Sequence, residues 1–387
     1  MDTCNGPLAR ARALGADIAG AADAIERTRR IPPELLAQLH AARLGRMLLP
    51  RACDGDEVEP GVYLLALEEV GRHDASVGWN LFTANSAALL AAHLEPETAR
   101  TIYGPADALV SWGPPNATVA TIETGGYRVS GRWDFASGCR QATWMGLHCQ
   151  VAEPGGAPRL NAAGHPAIRS MLFPVAKARL IDTWDTIGLR GTASDSYSVE
   201  DLFVPDEFTG TREEPENRRE PGRLYAFPMQ GLYAVGVAGV ALGIAGAMLD
   251  DFEQLARDKT PRGLGRLADS AVIQSGVAQA EARLGAARAY ALETLAGIYA
   301  RAGSEGAIDL SDRARVRLAA SNAIQGAIEV ADWTYKRAGV SAIFRGAAFE
   351  RRFRDMHTLS QQTQSRDAQF EAIGQIMLDR PPAVFYG

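Results

Sequence analysis

The chain has 387 residues, 47% of them hydrophobic and 22% charged, which suffices for a large core or for roughly two or three packed subdomains. A formal charge of −6 without a dominant Lys/Arg cluster excludes a nucleic-acid protein, because neutralising phosphates requires a basic face. The short basic run Arg351, Arg352 and Arg354 does not supply one, since Glu350 and Asp355 bracket it.

In chain order, the first thirty residues carry Asp2, Asp17, Asp23 and Glu26 and no uninterrupted apolar run, so a secretory signal is not expected and the cytoplasm is the default compartment. Residues 8 to about 105 read as helical, with Leu35, Leu36, Leu39 and Leu44 and then Tyr63, Leu64, Leu65, Leu67 and Val70 at helical steps. Pro32-Pro33-Glu34 sets proline at a helix start, where its missing N–H costs nothing.

From about 106 to 212 the pattern changes to short runs bounded by turn residues. Thr118–Ile122, Gly125-Gly126 and Tyr127–Gly131 predict a hairpin, and Tyr197–Pro205 a late strand. The charged, proline-containing stretch 211–223 reads as an exposed linker or loop. Long helical periodicity then returns over 229–257, 268–303, 311–338 and 350–378. Asp312, in the first turn after Ser311, suits a helix start and Gly339 a helix stop. The expected organisation is an N-terminal helical domain (1–105), a middle β domain (106–212) and a C-terminal four-helix bundle domain (213–387), a mainly α protein with a central β domain.

Within the first C-terminal helix, Gly231–Leu249 has no charge over a length close to a membrane span. Gly236, Gly239, Gly243 and Gly246 recur there at three- and four-residue steps, forming one narrow stripe where another backbone can approach. With no second span and no basic flank, a buried bundle helix is expected and no membrane. Cys4, Cys53, Cys139 and Cys149 fall at no metal-ligand spacing and form no disulfide framework, so no metal is expected.

Four segments narrow the reading. They are Arg46–Pro50 with Glu68–Trp79, then Gly126–Cys139, then Trp184–Ser194, and finally Phe353–Gln361. In this order, with the α–β–α organisation, the chain resembles the acyl-CoA dehydrogenase superfamily. Within it, the chain resembles the branch of reduced-flavin-dependent, two-component (group D) monooxygenases, which holds aromatic hydroxylase oxygenase components and dibenzothiophene monooxygenase. The resemblance implies an acyl-CoA dehydrogenase-like fold, a homotetramer, a small-molecule substrate with dioxygen, and FAD or FMN delivered in reduced form by a separate reductase. No Gly-x-Gly-x-x-Gly follows a strand, so no nicotinamide site is expected in the chain itself. Aromatic, indolic or natural-product substrates are the class implied.

The resemblance also points to residues. Ser137, in Phe135-Ala136-Ser137-Gly138, stands where a hydroxyl can reach the reactive edge of the flavin; the alternative is a turn serine bonded to its own backbone. Trp112 and Trp184 are candidates for lining the flavin, or else core of the β domain, as is Trp133. Trp79, Asn80, Phe82 and Asn85, with Phe344, are candidates for lining the substrate pocket, and Ser86 follows them on the same helix. Arg257, Lys259, Thr260 and Arg262 stand where a neighbouring subunit would meet the cofactor's phosphates, with Gln274 facing it across the interface; a solvated basic loop is the other reading.

Hydroxylases of the branch place a histidine seven positions after the Arg-Asp aspartate. Here that position is Gln362, which can orient a group but exchanges no proton near neutrality. On a continuous helix Asp355, Leu359 and Gln362 share one face, and His357 points elsewhere, as a catalytic group or a structural hydrogen-bond partner. Gln362 keeps two alternatives open, an acyl-CoA dehydrogenase-like flavin dehydrogenase and a non-oxygenating flavin-binding homologue. The dehydrogenase reading lacks a catalytic glutamate in the expected context, since Glu350, Glu371 and Asp355 read as salt-bridge or cap residues.

Overall fold

A computed structural model describes residues 6–161, 164–211, 217–302 and 308–382. The N-terminal helices are α1 (Pro7–Ala13), α2 (Gly15–Thr28), α3 (Pro33–Ala41), α4 (Pro60–His73), α5 (Ala75–Ala88) and α6 (Pro96–Tyr103). Four of them, α1, α3, α4 and α6, begin on proline. Helix α5 is capped instead by Asp74, whose carboxylate accepts from the Val77 amide at 2.9 Å.

Eight strands follow: β1 (Val110–Trp112), β2 (Val119–Glu123), β3 (Gly126–Ala136), β4 (Trp144–Ala152), β5 (Ile168–Pro174), β6 (Arg179–Ile181), β7 (Asp195–Pro205) and β8 (Thr209–Gly210). They form one sheet in the order β6-β7-β3-β2-β4-β5-β8, with β1 also beside β4. The β2–β3 hairpin forms as expected, with Gly125 supplying the left-handed turn position at φ +79. Trp133 belongs to the β core, stacked on Tyr197 with its indole donating to the His148 carbonyl.

The C-terminal helices are α7 (Met229–Asp258), α8 (Ala271–Arg301), α9 (Leu310–Ala338), α10 (Ala348–Leu359) and α11 (Ala368–Met377). Asp309 rather than Ser311 caps α9, accepting from the Asp312 amide. The fourth expected helix is two. Between α10 and α11 the run Ser360-Gln361-Gln362-Thr363-Gln364-Ser365 bonds to its own backbone: Ser360 Oγ donates to the His357 carbonyl and Ser365 Oγ to that of Leu359. Of the predicted loop 211–223, residues 212–216 lie outside the described residues, as do Cys4 and residue 303 of the predicted second bundle helix. Cys53, Cys139 and Cys149 are buried free thiols, and burial pushes Cys139 and Cys149 up to about 12.

Among the described residues one helix, α7, is long and apolar enough to cross a membrane, and it lies buried in the core. Its glycine stripe packs against α4 and α5. A Cβ on Gly239 would come within 2.8 Å of the Leu64 carbonyl oxygen, and one on Gly243 within 2.3 Å of the Glu68 carbonyl oxygen. The N-terminal helices and the bundle consequently share one hydrophobic core, running from Ile18 and Leu67 through Val240 to Ile324. Glu68, buried at this crossing, is held by Arg288 of α8 with Nε 2.8 Å from Oε1.

Gly243→Ala is expected to destabilise the protein by roughly 1–3 kcal/mol through overpacking. Gly285→Ala on α8, where an added Cβ meets nothing within 4 Å, is expected to stabilise it by about 0.5–1 kcal/mol through helix propensity. Urea unfolding of the two variants checks the contrast.

Candidate active site

Strand β3 carries an irregularity near its end. Its register against β7 shifts between Trp133 and Ala136, and Phe135 takes a left-handed φ of +62. The bulge turns the Phe135 ring outward, where it is 62% exposed, while Ser137 two residues later is buried. Leu189 (φ +48) and Ala193 (φ +43), in the loop before β7, share the same strained region. Backbone strain of this kind costs about 1–3 kcal/mol per residue and persists where a site needs the geometry.

The first turns of α5 meet that loop. Ser76, Trp79 and Asn80 share one helix face by their three- and four-residue spacing. Ser76 Oγ accepts from the Gly191 amide at 3.1 Å, Asn80 Nδ2 donates to the Gly191 carbonyl at 3.2 Å, and Trp79 Nε1 donates to Ser137 Oγ at 3.0 Å. Ser137 Oγ lies 2.7 Å from Ser194 Oγ, which lies 2.7 Å from Thr192 Oγ1. Thr192 in turn donates to the Leu189 carbonyl at 2.8 Å. Ser111 Oγ of β1 donates to the Ser137 carbonyl at 2.8 Å.

The direction of this chain follows from counting protons. Each hydroxyl has one donor and two acceptor positions. Because Thr192 spends its proton on Leu189, Ser194 must donate to Thr192 and Ser137 to Ser194. Trp79 fills one acceptor position of Ser137 and leaves the other open. Ser137 is therefore an acceptor toward whatever binds beside it.

Trp184 stands edge-on to Phe135, with ring centroids 6.3 Å apart, and half-buried. Its indole donates to the Leu189 carbonyl and its amide to the buried Asp195, which is paired with Arg140. Phe135 and Trp184 thus form an aromatic pair beside the buried hydroxyls, Phe135 two residues from Ser137 and Trp184 bonded to the same Leu189 carbonyl as Thr192. An apolar face beside a hydrogen-bonding edge is what an isoalloxazine ring requires, so these residues fit a flavin.

Behind the loop, Asp355 Oδ1 accepts from the Leu189 amide at 2.6 Å. Burial, aided by Asp74, pushes the Asp355 carboxyl up to about 7, and burial pushes Asp74 to about 6 against the opposing Val77 hydrogen bond.

The other expected residues fall elsewhere. Asn85 is committed to the fold, accepting from the Leu48 amide and donating to the Leu44 and Leu81 carbonyls, and Ser86 donates to the Phe82 carbonyl. Phe82 touches Trp79 but is fully buried against Tyr233, while Phe344 stands 63% exposed after α9, so the three do not line one pocket within the chain. Trp112 is buried edge-on to His148, in the cluster where β1 packs on α5 and α6.

Gln362 is not on the helix face of Asp355 and Leu359. Helix α10 ends at Leu359, and Gln362 is extended, its Oε1 accepting from the Gln364 amide at 2.6 Å. His357 remains on α10, paired with Asp332 at 2.9 Å and tilted against the Phe353 ring. Lys259 is engaged within the chain, donating to the Ala338 carbonyl and Ser341 Oγ. Arg257 pairs with Glu253, Gln274 donates to the Ala268 carbonyl, and Thr260 and Arg262 are exposed.

Ser76, Ser111, Thr192 and Ser194 were missed by sequence reasoning. Ser76 shares the helix spacing of Trp79 and Asn80, which was a usable signal; the partners of the other three are set only by tertiary contact.

An indole-3-acetate monooxygenase of Pseudomonas putida is 31% identical over 367 residues, covering 93% of this chain and 90% of that protein. The chain belongs to the flavin-dependent monooxygenases of the acyl-CoA dehydrogenase superfamily. The family pattern described as acyl-CoA dehydrogenase, C-terminal domain, matches residues 235–366. The FADH2-dependent resorcinol hydroxylase oxygenase component of a Rhizobium species is 29% identical over 384 residues, covering 92% of this chain and 90% of that one. XiaF from a Streptomyces species, solved with FADH2 and glycerol, superposes with a TM-score of 0.88 at 22% identity over 98% of this chain and 96% of its own. That likeness establishes the acyl-CoA dehydrogenase-like fold for this member of the monooxygenase family.

Two predictions follow from the geometry. Phe135→Gly removes a left-handed side-chain penalty of about 1–2 kcal/mol and also the outer ring of the aromatic pair. It is expected to raise Tm while weakening FMN or FAD binding, checked by calorimetry and flavin fluorescence titration. The raised Asp74 and Asp355 values mean that the folded protein holds more protons than the unfolded chain above the ordinary carboxyl range of about 4. The stability they contribute is full below that range and is lost as pH rises through about 6 and 7. Asp355→Asn, which retains an acceptor for Leu189, is expected to flatten the decline of Tm across that window.

Proposed function

We propose that this chain is the oxygenase component of a two-component monooxygenase, receiving reduced FMN or FAD from a separate reductase and using dioxygen to oxidise an aromatic substrate, with indolic compounds as the first class to examine. The observation that carries the reading is the relationship to the indole-3-acetate monooxygenase across nearly the whole of both chains. When bound, the reduced flavin supplies the electrons that activate dioxygen.

The chain's own residues do the remaining work. Phe135 and Trp184 cover the ring and exclude water, and Ser137 accepts a hydrogen bond from it. A reduced isoalloxazine carries an N–H at N5 where the oxidised ring has a bare nitrogen, so the acceptor character of Ser137 suits the reduced form. No imidazole stands at Gln362, and an indole needs no deprotonation to be electron-rich, whereas a phenol does. The same reading extends to a cytoplasmic homotetramer in which Arg257, Arg262 and Gln274 of one subunit approach the phosphate tail bound by another. Lys259 would join them by exchanging its internal partners.

The test is anaerobic mixing of the protein with photoreduced FMN or FAD, then admission of isotopically labelled dioxygen with indole-3-acetate, indole or resorcinol. Label in the product, dependent on reduced flavin and absent with NADH alone, is the expected result, with resorcinol the slower substrate. Dye reduction driven by an acyl thioester, without dioxygen uptake, would establish a dehydrogenase instead. Ser137→Ala is expected to weaken binding of reduced flavin about fivefold, the worth of one hydrogen bond near 1 kcal/mol.

A further inference from the structure

Three hydroxyls and one carbonyl stand in series at Ser137. The links from Ser137 Oγ to Ser194 Oγ, from there to Thr192 Oγ1, and on to the Leu189 carbonyl measure 2.7, 2.7 and 2.8 Å. Three hydroxyl protons serve these three links, so a proton occupies every link when each hydroxyl donates toward Leu189. The reverse direction would leave two bare oxygens in contact at Leu189 and turn the Ser137 proton outward. Trp79 Nε1 takes one lone pair of Ser137, and Trp184 Nε1 shares the Leu189 carbonyl with Thr192.

The backbone holds this series in place. The Gly138 amide donates to the Thr192 carbonyl at 2.8 Å, and Cys139 Sγ donates to the Ala193 carbonyl at 3.4 Å. Residues 137, 138 and 139 are therefore each tied to the loop 192–194. One residue further back, Ser76 and Asn80 of α5 bind the Gly191 amide and carbonyl, at a position where a Cβ would come within 2.0 Å of Ile25 Cγ2. Exposure falls from 8% at Ser137 to 4% at Ser194 and 0% at Thr192, so Ser137 is the outward end of the series.

Resting on the flavin reading above, we propose that Ser194 and Thr192 are positioning residues that make the site select reduced over oxidised flavin, by holding the Ser137 proton away from the ring.

A serine hydroxyl free to rotate serves either redox state, because it can donate or accept. With its proton committed to Ser194, Ser137 only accepts. The N5 edge of a reduced isoalloxazine brings an N–H to the open lone pair of Ser137. The oxidised ring brings a lone pair of its own, and two acceptors facing each other in a buried contact lose a hydrogen bond. Discrimination therefore lies in the direction of the hydroxyl series and not in Ser137 alone. Ser194→Ala removes the acceptor of the Ser137 proton, which is then free to turn toward the bare nitrogen of the oxidised ring.

The experiment measures dissociation constants of oxidised and photoreduced FMN and FAD under anaerobic conditions. Wild type, Ser194→Ala, Thr192→Val, Ser137→Ala and the double variant Ser137→Ala/Ser194→Ala are compared. Wild type is expected to bind the reduced form more tightly. Ser194→Ala is expected to lower that preference about fivefold, the scale of one hydrogen bond, by tightening the oxidised complex, and so to lower the midpoint potential of the bound flavin. Thr192→Val frees the Ser194 proton from its fixed direction and should shift the preference in the same sense. In the Ser137→Ala background Ser194→Ala should change nothing further, because its effect passes through the Ser137 proton. An unchanged preference in Ser194→Ala and Thr192→Val overturns the proposal. So does an equal change in both redox states, or an effect of Ser194→Ala that persists without Ser137, since either marks a structural role alone. Should Ser194→Ala fail to fold, Thr192→Val carries the same test. Failure to bind flavin in either redox state overturns the flavin reading and this assignment together, whereas binding without the expected shift overturns the assignment alone.

Discussion

The close crossing of α7 over α4 is the constraint on which the rest depends. Gly239 and Gly243 let one helix backbone rest on another where any side chain would strike a carbonyl oxygen. Helices can approach this closely only if one face has no Cβ. The crossing places α4 and hence α5, separated from it by Asp74 alone, and with it the helix face of Ser76, Trp79 and Asn80. Had α7 carried alanines in the stripe, α4 and α5 would be displaced from α7, and the contacts of Ser76, Trp79 and Asn80 with the β domain would have to shift.

What the α5 face meets is polar but carries no formal charge at the point of contact. Hydroxyls, backbone amides, one indole and the Asn80 Nδ2 bond to each other, Asn80 Oδ1 alone on this face being buried without a hydrogen-bond partner, and the charges stand one layer back at Asp355, Asp74 and the Arg140–Asp195 pair. This arrangement suits a flavin. A neutral hydrogen-bonding edge leaves the electronics of the ring to be set by fine differences in bond strength, whereas a charge beside it would impose one oxidation state. Burial keeps those differences from being averaged away by water.

Part of the strained backbone lies in the same place. Phe135, Leu189 and Ala193 hold left-handed conformations that glycine would adopt at less cost, yet each carries a side chain. At Phe135 the ring itself is the product of the strain: a regular strand would have alternated it back toward one face of the sheet instead of swinging it out beside Trp184.

The period of the apolar residues sufficed to determine the helix–strand–helix order, the β2–β3 hairpin and the buried α7, because these depend on local spacing that burial then enforces. The four segments that carry the family resemblance located the Ser137 and Trp184 regions, since a relative's pattern records contacts that a single chain cannot display. Spacing alone failed where local polar side chains overrode it. The hydroxyl and amide run 360–365 took the terminal carbonyls and amides of α10 for itself, so Gln362 left the helix on which the seven-residue count had placed it. Only tertiary structure could bring Ser137, just after β3, to Ser194 and Thr192 in the loop before β7, and that loop to Asp355 of α10. A hydrogen bond reads distance and direction between groups as far apart in number as Leu189 and Asp355, 166 residues, and no periodicity in the chain encodes that meeting.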